Sequence, residues 1–157
     1  VRSTAELLGV GNAKIKWPND VLVGGKKISG ILARLRQGDL ILGVGINLKP
    51  QSDAPDHATS LSEHGAEFDF DEVLATFLTQ LRGRYLKFLA DPELAIRHVA
   101  QEFQDHSSTI GNSVRAILPD QTEVTGTAVG LDSSGNLLIQ GDQLHTISAA
   151  DIIHLRN

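Results

Sequence analysis

The spacing of apolar positions changes along the chain, and each pattern predicts a different kind of element. Residues 5–10, Ala-Glu-Leu-Leu-Gly-Val, read as the last turns of a helix that ends at Gly9 or Gly11. Residues 13–16 and 20–23 predict short strands, joined through Gly24-Gly25 to a strand over Lys26 to Arg36 with Ile28, Ile31, Leu32 and Leu35. Two glycines suit a tight hairpin because they reach positive φ without a Cβ clash. Gln37-Gly38-Asp39 predicts a second turn. Residues 40–47 then form an almost unbroken apolar run, which predicts a central strand buried on both faces. Two prolines with several Asp and Ser residues make 49–59 a loop.

The period then lengthens to that of a helix. Asp69 suits an N-cap with Glu72 three residues on, and Phe68 and Val73 are spaced for a hydrophobic staple. Phe70, Val73, Leu74, Phe77, Leu78, Leu81, Tyr85 and Phe88 recur at helical spacing and predict one buried face. Asp91-Pro92 opens a second helix, whose stripe is Ile96, Val99, Ala100 and Phe103. After about residue 108 short strands return at regular spacing, around 114–118, 124–129, 137–139 and 152–155, broken by Pro119-Asp120, Asp132-Ser-Ser-Gly135 and Gly141-Asp142. This pattern suggests a small β-barrel module. The expectation is an α+β chain of two domains: 1–108, a partial mixed or antiparallel sheet backed by helices, and 109–157, a small all-β barrel.

Composition narrows the class. The 157 residues are 41% hydrophobic, enough for an ordinary core. No apolar run is long enough for a membrane span, and no signal-peptide pattern opens the chain. The absence of cysteine excludes a disulfide scaffold and a cysteine nucleophile, and is compatible with a reducing cytoplasm. A net charge of -5 argues against broad electrostatic binding of nucleic acid by this segment. His57, His64, His98, His106, His145 and His154 show no metal-ligand spacing and read as surface or core histidines.

Three motifs stand in order: Lys16-Trp17-Pro18-Asn19-Asp20, then Lys27-Ile-Ser-Gly30-Ile-Leu32, then Gly43-Val-Gly-Ile-Asn47. Together they closely resemble the biotin protein ligase family, and the tail with Gly126 and the Asp132…Gly135 turn resembles that family's C-terminal domain. The resemblance covers essentially the whole chain. It implies a class II synthetase-like biotin/lipoate ligase fold followed by an Src-homology-type barrel. It also implies an ATP-dependent ligase that activates biotin as biotinyl-5′-AMP and transfers it to a lysine of a biotin carboxyl carrier protein. Biotin, ATP and Mg²⁺ are the small molecules implied, with Mg²⁺ ligands not identifiable from the sequence. The setting is cytoplasmic, and a homodimer is compatible with it.

Residue roles follow from the resemblance and from chemistry beside it. The reaction brings two anions together, a carboxylate and a phosphate, so a lysine ammonium is a suitable neutralising charge. The resemblance gives Lys27 that role, at the biotin carboxyl and the phosphate of biotinyl-AMP, and gives the backbone of Gly30, Ile31 and Leu32 to the biotin tail. The alternative for Lys27 is a solvated hairpin lysine. Asn19 is placed near the adenylate, where an amide can both donate and accept, and Asp20 near the acceptor lysine, where a carboxylate can orient the ammonium or take its proton. Their alternative is an Asx-type turn after Pro18. Lys16 faces phosphate or the carrier, or is an edge-strand solubility lysine. Trp17 reads as core more than as a ligand contact. Small Gly43 and Gly45 permit close approach, and Asn47 is an adenylate contact or a strand-end cap. Ser60-Leu-Ser62 after Thr59 reads as structural.

The family's Gly-Arg-Gly-Arg-type loop and Ser-Thr-Asn segment have no counterpart in residues 1–15, and Arg34-Leu-Arg36 does not match that loop. The chain is therefore expected to carry roughly half of an active site. Two other readings stay open: a non-catalytic piece with a partial biotin-binding or interaction surface, and a lipoate- or octanoate-transferring relative.

Overall fold

The computed structural model describes residues 1–155; residues 156 and 157, the end of the second expected domain, lie outside the described residues. Two compact units emerge, one of residues 1–15 and 19–96, the other of residues 16–18 and 97–157. The sequence pattern changes after 108, whereas the contacts divide at 96 and assign Lys16–Pro18 to the second unit. Among the described residues no helix is long and apolar enough to cross a membrane.

The first unit opens with α1 (Arg2–Leu7), which ends at Gly9 with φ of 86°. Strands β1 (Lys14–Lys16), β2 (Asp20–Val23), β3 (Lys26–Arg36) and β4 (Asp39–Ile46) follow in the sheet order β1-β2-β3-β4. Gly24 and Gly25, at φ of 57° and 78°, make the two-residue turn between β2 and β3. Gln37 and Gly38 do the same between β3 and β4, with Asp39 already paired to Arg36. One face of the sheet supplies Val21, Val23 and Ile28 to a core shared with Ala5, Val10, Ala13, Leu61 and Val73. Full burial of side chains of this size stabilises by about 1.5–3 kcal/mol each.

Capping sets the helix starts. Asp69 Oδ1 accepts the Glu72 N–H at 2.7 Å and begins α2 (Phe70–Ala90), with Phe68 and Val73 both packed on the core. Asp91 Oδ1 accepts the Leu94 N–H at 3.0 Å and begins α3 (Pro92–His106). Such caps contribute about 1 kcal/mol each.

Two burial expectations are corrected. Strand β4 is an edge strand whose Leu40, Ile41 and Leu42 are exposed, and the facing half of β3 is exposed too, Leu32 at 71% and Leu35 at 73%. The apolar stripe of α2 is also open: among the described residues only Val73 of that helix is buried, and Leu74, Leu78, Leu81, Tyr85 and Phe88 are exposed. On α3, Ile96 and Val99 are exposed as well. Periodicity shows which residues share a face, and burial needs a second layer against that face.

Among the described residues the second unit holds five antiparallel strands: β5 (Ser113–Ile117), β6 (Glu123–Leu131), β7 (Leu137–Gln140), β8 (Leu144–Ile147) and β9 (Asp151–His154). They run in the order β8-β7-β6-β5-β9. All five contribute to one core: Val114, Ala116, Ala128, Leu137, Ile139, Ile147 and Ile152. Trp17 lies in that core, 4% exposed. Its backbone N–H donates to Thr109 Oγ1 at 3.1 Å and its indole Nε1–H to the Gly135 carbonyl at 3.0 Å. The carbonyl is offered by the tight turn that Asp132 builds. Asp132 accepts the backbone N–H groups of Ser134 and Asn136 at 2.8 and 2.9 Å and the Asn136 side-chain amide at 2.8 Å.

Candidate functional site

The register of β2 against β3 determines which side chains share a face. Asp20 pairs with Gly30 and Val21 with Ser29, but Leu22 pairs with Lys27. One residue, Ile28, is therefore extra on β3, a β-bulge. Strict alternation from Gly30 would send Lys27 to the opposite face. The bulge instead turns Lys27 to the face that carries Asp20 and Gly30, while Ile28 goes fully into the core. The Lys27 ammonium then reaches Asp20 Oδ1 at 2.6 Å, with side-chain exposures of 37% and 19%. Asp20 Oδ1 itself is shut off from solvent and has no donor in hydrogen-bonding alignment, so the contact is one of charge.

Gly30 makes room for this pair. A Cβ there would stand 3.0 Å from Lys27 Nζ, 3.1 Å from Lys27 Cε and 3.5 Å from Asp20 Oδ1. Its partner across β4 is Gly45, and the next pair on the same face is Leu32 with Gly43. Three glycines thus strip side chains from the sheet beside the ammonium, leaving bare backbone flanked by exposed Leu32. Ile31 points to the other face, and its N–H is already committed to the Asn19 carbonyl at 2.9 Å.

Lys27 stays opposite Leu22 in the ladder, but its N–H and carbonyl point away from β2, where a parallel bridge to Ala58 satisfies them. Lys27 N–H donates to the His57 carbonyl at 2.8 Å, and Lys27 O accepts from Thr59 N–H at 2.9 Å. Asn47 adds two bonds from Nδ2, to Lys27 O at 3.2 Å and Thr59 O at 3.0 Å, while its own N–H donates to Ile28 O at 2.8 Å. The 57–60 segment is in turn fixed by a 3₁₀ helix, Leu61–His64. Glu63 Oε2 accepts from Ser60 N–H at 2.8 Å, Ser60 Oγ at 2.6 Å and Thr59 Oγ1 at 3.3 Å, and Thr59 Oγ1 also meets His64 Nε2 at 3.0 Å. These bonds, led by the Ser60 hydroxyl, hold the Glu63 carboxyl below its ordinary pKa. The pattern Ser-x-x-Glu at 60–63 signals such a capping box in the sequence. The sequence marks Ser60 as structural and His64 as a surface or core histidine, and gives Glu63 no role.

Lys27, Asp20, Gly30, Leu32 and Gly43 are brought to one face. Asn19 directly precedes β2 and closes its ladder through its carbonyl. Asn47 sits behind Lys27, on its backbone. Lys16 belongs to the second unit, where its charge and, more strongly, burial lower the pKa of His154. Among the described residues no group of three His, Asp or Glu side chains could hold a metal ion.

Residues 5–50 match the Biotin/lipoate A/B protein ligase family and residues 109–155 the Biotin protein ligase C terminal domain. Over 161 residues the chain is 38% identical to the biotin--[acetyl-CoA-carboxylase] ligase of Mycobacterium tuberculosis, covering 98% of this chain and 58% of that protein. The chain belongs to the biotin protein ligase family. A second family relative, the bifunctional ligase/repressor BirA of Bacillus subtilis, is 33% identical over 97% of this chain and 49% of its own length. The chain thus spans about half the length of these curated biotin protein ligase relatives. Among solved biotin protein ligases, the Aquifex aeolicus enzyme in complex with biotin and ATP superimposes with a TM-score of 0.75 at 26% identity, covering 100% of this chain and 72% of that one. A mutant of the same ligase with biotin gives 0.80 at 28% identity, covering 99% and 67%.

Proposed function

We propose that this chain supplies the Lys27 side of the active site of an ATP-dependent biotin protein ligase. The observation that carries the proposal is the Lys27 ammonium set beside a glycine-stripped strand face, with Asp20 at 2.6 Å, in a member of this family. The biotin valeryl tail is apolar and lies along bare backbone at Gly30, Leu32 and Gly43, and Ile31 contributes there through its backbone alone. Its carboxylate ends at Lys27. A biotin carboxylate oxygen attacks the α-phosphorus of ATP, pyrophosphate leaves, and Lys27 offsets the charge of the two anions as they meet. Asn19 and the remaining acceptor of Asn47, Oδ1, serve the adenylate, and an adenine amino group is a suitable donor to that oxygen.

In the second step the carrier lysine amine forms a C–N bond to the biotin carbonyl carbon. The bond from that carbon to the phosphate oxygen breaks, AMP leaves with the electron pair, and the amine proton passes to Asp20. The partner is thus a biotin carboxyl carrier protein, and the proposed setting is the cytoplasm. Lys16 serves the carrier or a phosphate. Mg²⁺ would be carried by the ATP phosphates, since no group of three His, Asp or Glu side chains among the described residues could hold it. The test uses full-length protein: biotin-dependent exchange of labelled pyrophosphate into ATP, then biotin transfer to a carrier domain. Absence of exchange overturns the proposal, and exchange driven by lipoate or octanoate in place of biotin overturns its substrate.

A further inference from the structure

We infer that Asn47 is a positioning residue that acts through Lys27, holding the bulge that aims the ammonium at the carboxyl end of biotin. This rests on the proposed role of Lys27 and goes beyond a contact of Asn47 with nucleotide. Beside the bulge at Ile28, Lys27 stays paired with Leu22 and turns its backbone N–H and carbonyl to the 57–59 segment, where three groups hold them: His57 O, Thr59 N–H and Asn47 Nδ2. Asn47 joins β3 to the Thr59 strap, because it bonds Ile28 O through its main chain and Lys27 O and Thr59 O through its amide. Both amide hydrogens are spent on carbonyls, and no hydrophobic or hydroxyl side chain of similar size supplies two donors from one atom. Without them the Thr59 strap has one bond to Lys27 instead of a bridged pair. The Lys27 backbone is then held on that side by His57 O and Thr59 N–H alone.

Glu63 extends the same brace one layer outward. Its Oε2 gathers Ser60 N–H, Ser60 Oγ and Thr59 Oγ1, fixing the residue whose carbonyl Asn47 grips. A residue that only touches adenine leaves the recognition of biotin's charge untouched. A residue that aims Lys27 governs it. The two roles therefore separate on the ligand side, by comparing biotin with biotinol, its neutral alcohol analogue.

The experiment measures the affinity of full-length protein for biotin and for biotinol by calorimetry, in wild type, Asn47→Ala and Glu63→Gln, with thermal melts to establish that each is folded. Wild type is expected to favour biotin over biotinol by about 10-fold, the size of a charge-assisted hydrogen bond. Asn47→Ala should lower that ratio to within about 2-fold of unity, with biotinol affinity little changed. Glu63→Gln keeps shape and one acceptor, and serves if Asn47→Ala does not fold; it should lower the ratio by about 2-fold. A ratio preserved at the wild-type value in folded Asn47→Ala, or in Glu63→Gln where the first variant fails to fold, overturns the inference while leaving the function intact. A wild-type ratio near unity removes Lys27 from the carboxylate and overturns both.

Discussion

The Lys27 ammonium rests 2.6 Å from Asp20 Oδ1 because one extra residue, Ile28, turns Lys27 onto the face of the sheet that carries Asp20. Pairing with Asp20 gives the ammonium a counter-ion before any ligand arrives. A partly exposed pair of this kind is worth about 0–1 kcal/mol, little enough for an incoming carboxylate or phosphate to displace. In the proposed function, the displaced Asp20 carboxylate is then available to a lysine of the carrier. Asp20→Asn should accordingly leave pyrophosphate exchange within about 5-fold of wild type. Transfer from preformed biotinyl-AMP should fall by about 10²-fold. Single-turnover transfer set against exchange rates checks the split, and equal losses in both steps would contradict it.

Lys27→Ala removes the charge itself. Formation of biotinyl-AMP should drop by about 10²-fold or more, as expected when the group neutralising two anions is lost. Pyrophosphate exchange measures this, and near-normal exchange would take Lys27 out of the reaction.

Gly30→Ala tests the room rather than the charge. The new Cβ would lie 3.0 Å from Nζ and 3.1 Å from Cε of Lys27, the mobile end of a long side chain. The protein should therefore keep its stability to within about 1 kcal/mol while the ammonium is pushed off its position. Exchange should fall by about 10-fold, and a thermal melt distinguishes this from unfolding. Gly126→Ala is the opposite case: its Cβ would strike the Gln140 carbonyl and lie 2.7 Å from Gln140 C and 2.9 Å from Gly141 N, all backbone. Denaturant unfolding should show a loss of about 2 kcal/mol or more in the second unit.

Acid should weaken both units. Glu63 is held below its ordinary pKa first by the Ser60 hydroxyl, Asp120 by the Thr122 hydroxyl, and Asp132 by the Asn136 amide. His154 is also lowered, by burial and then by Lys16. A group whose pKa is depressed on folding stabilises above its unfolded pKa and ceases to do so as pH falls through the folded value. Stability should thus be flat above about pH 7 and decline on acidification, His154 first and the carboxylates later. Denaturant midpoints from pH 8 to pH 3 read this, and Asp132→Asn should flatten the acid end of the curve.

Much of the fold is legible in the sequence where local chemistry is decisive. Gly24-Gly25, the Asp69 cap and Asp91-Pro92 each specify a backbone geometry from one or two residues. The exposure of Leu40, Ile41, Leu42 and the α2 stripe was not legible, since apolarity states a preference for burial and supplies no partner. The face carrying Lys27 was hidden for another reason. Alternation alone places Lys27 opposite Gly30, and a bulge of one residue leaves no mark in hydrophobic period. Asn47 reads as an adenylate contact, with a strand-end cap as the alternative, until the carbonyls it grips are seen.

The second unit has a topological consequence for anyone dividing this chain. Its core indole arrives from Lys16–Pro18, far upstream of the strands that enclose it. A single cut after residue 96 or 108 yields a fragment with five strands and no tryptophan. Losing a buried tryptophan side chain costs about 3–5 kcal/mol, comparable to the whole stability of a small domain. The fragment's Gly135 carbonyl and Thr109 hydroxyl also lose their donors. Excision is therefore the wrong way to separate the contributions of the two units. A peptide spanning residues 14–18, added back to the strand fragment, should bind it and restore cooperative melting, with its lone indole as the fluorescent reporter.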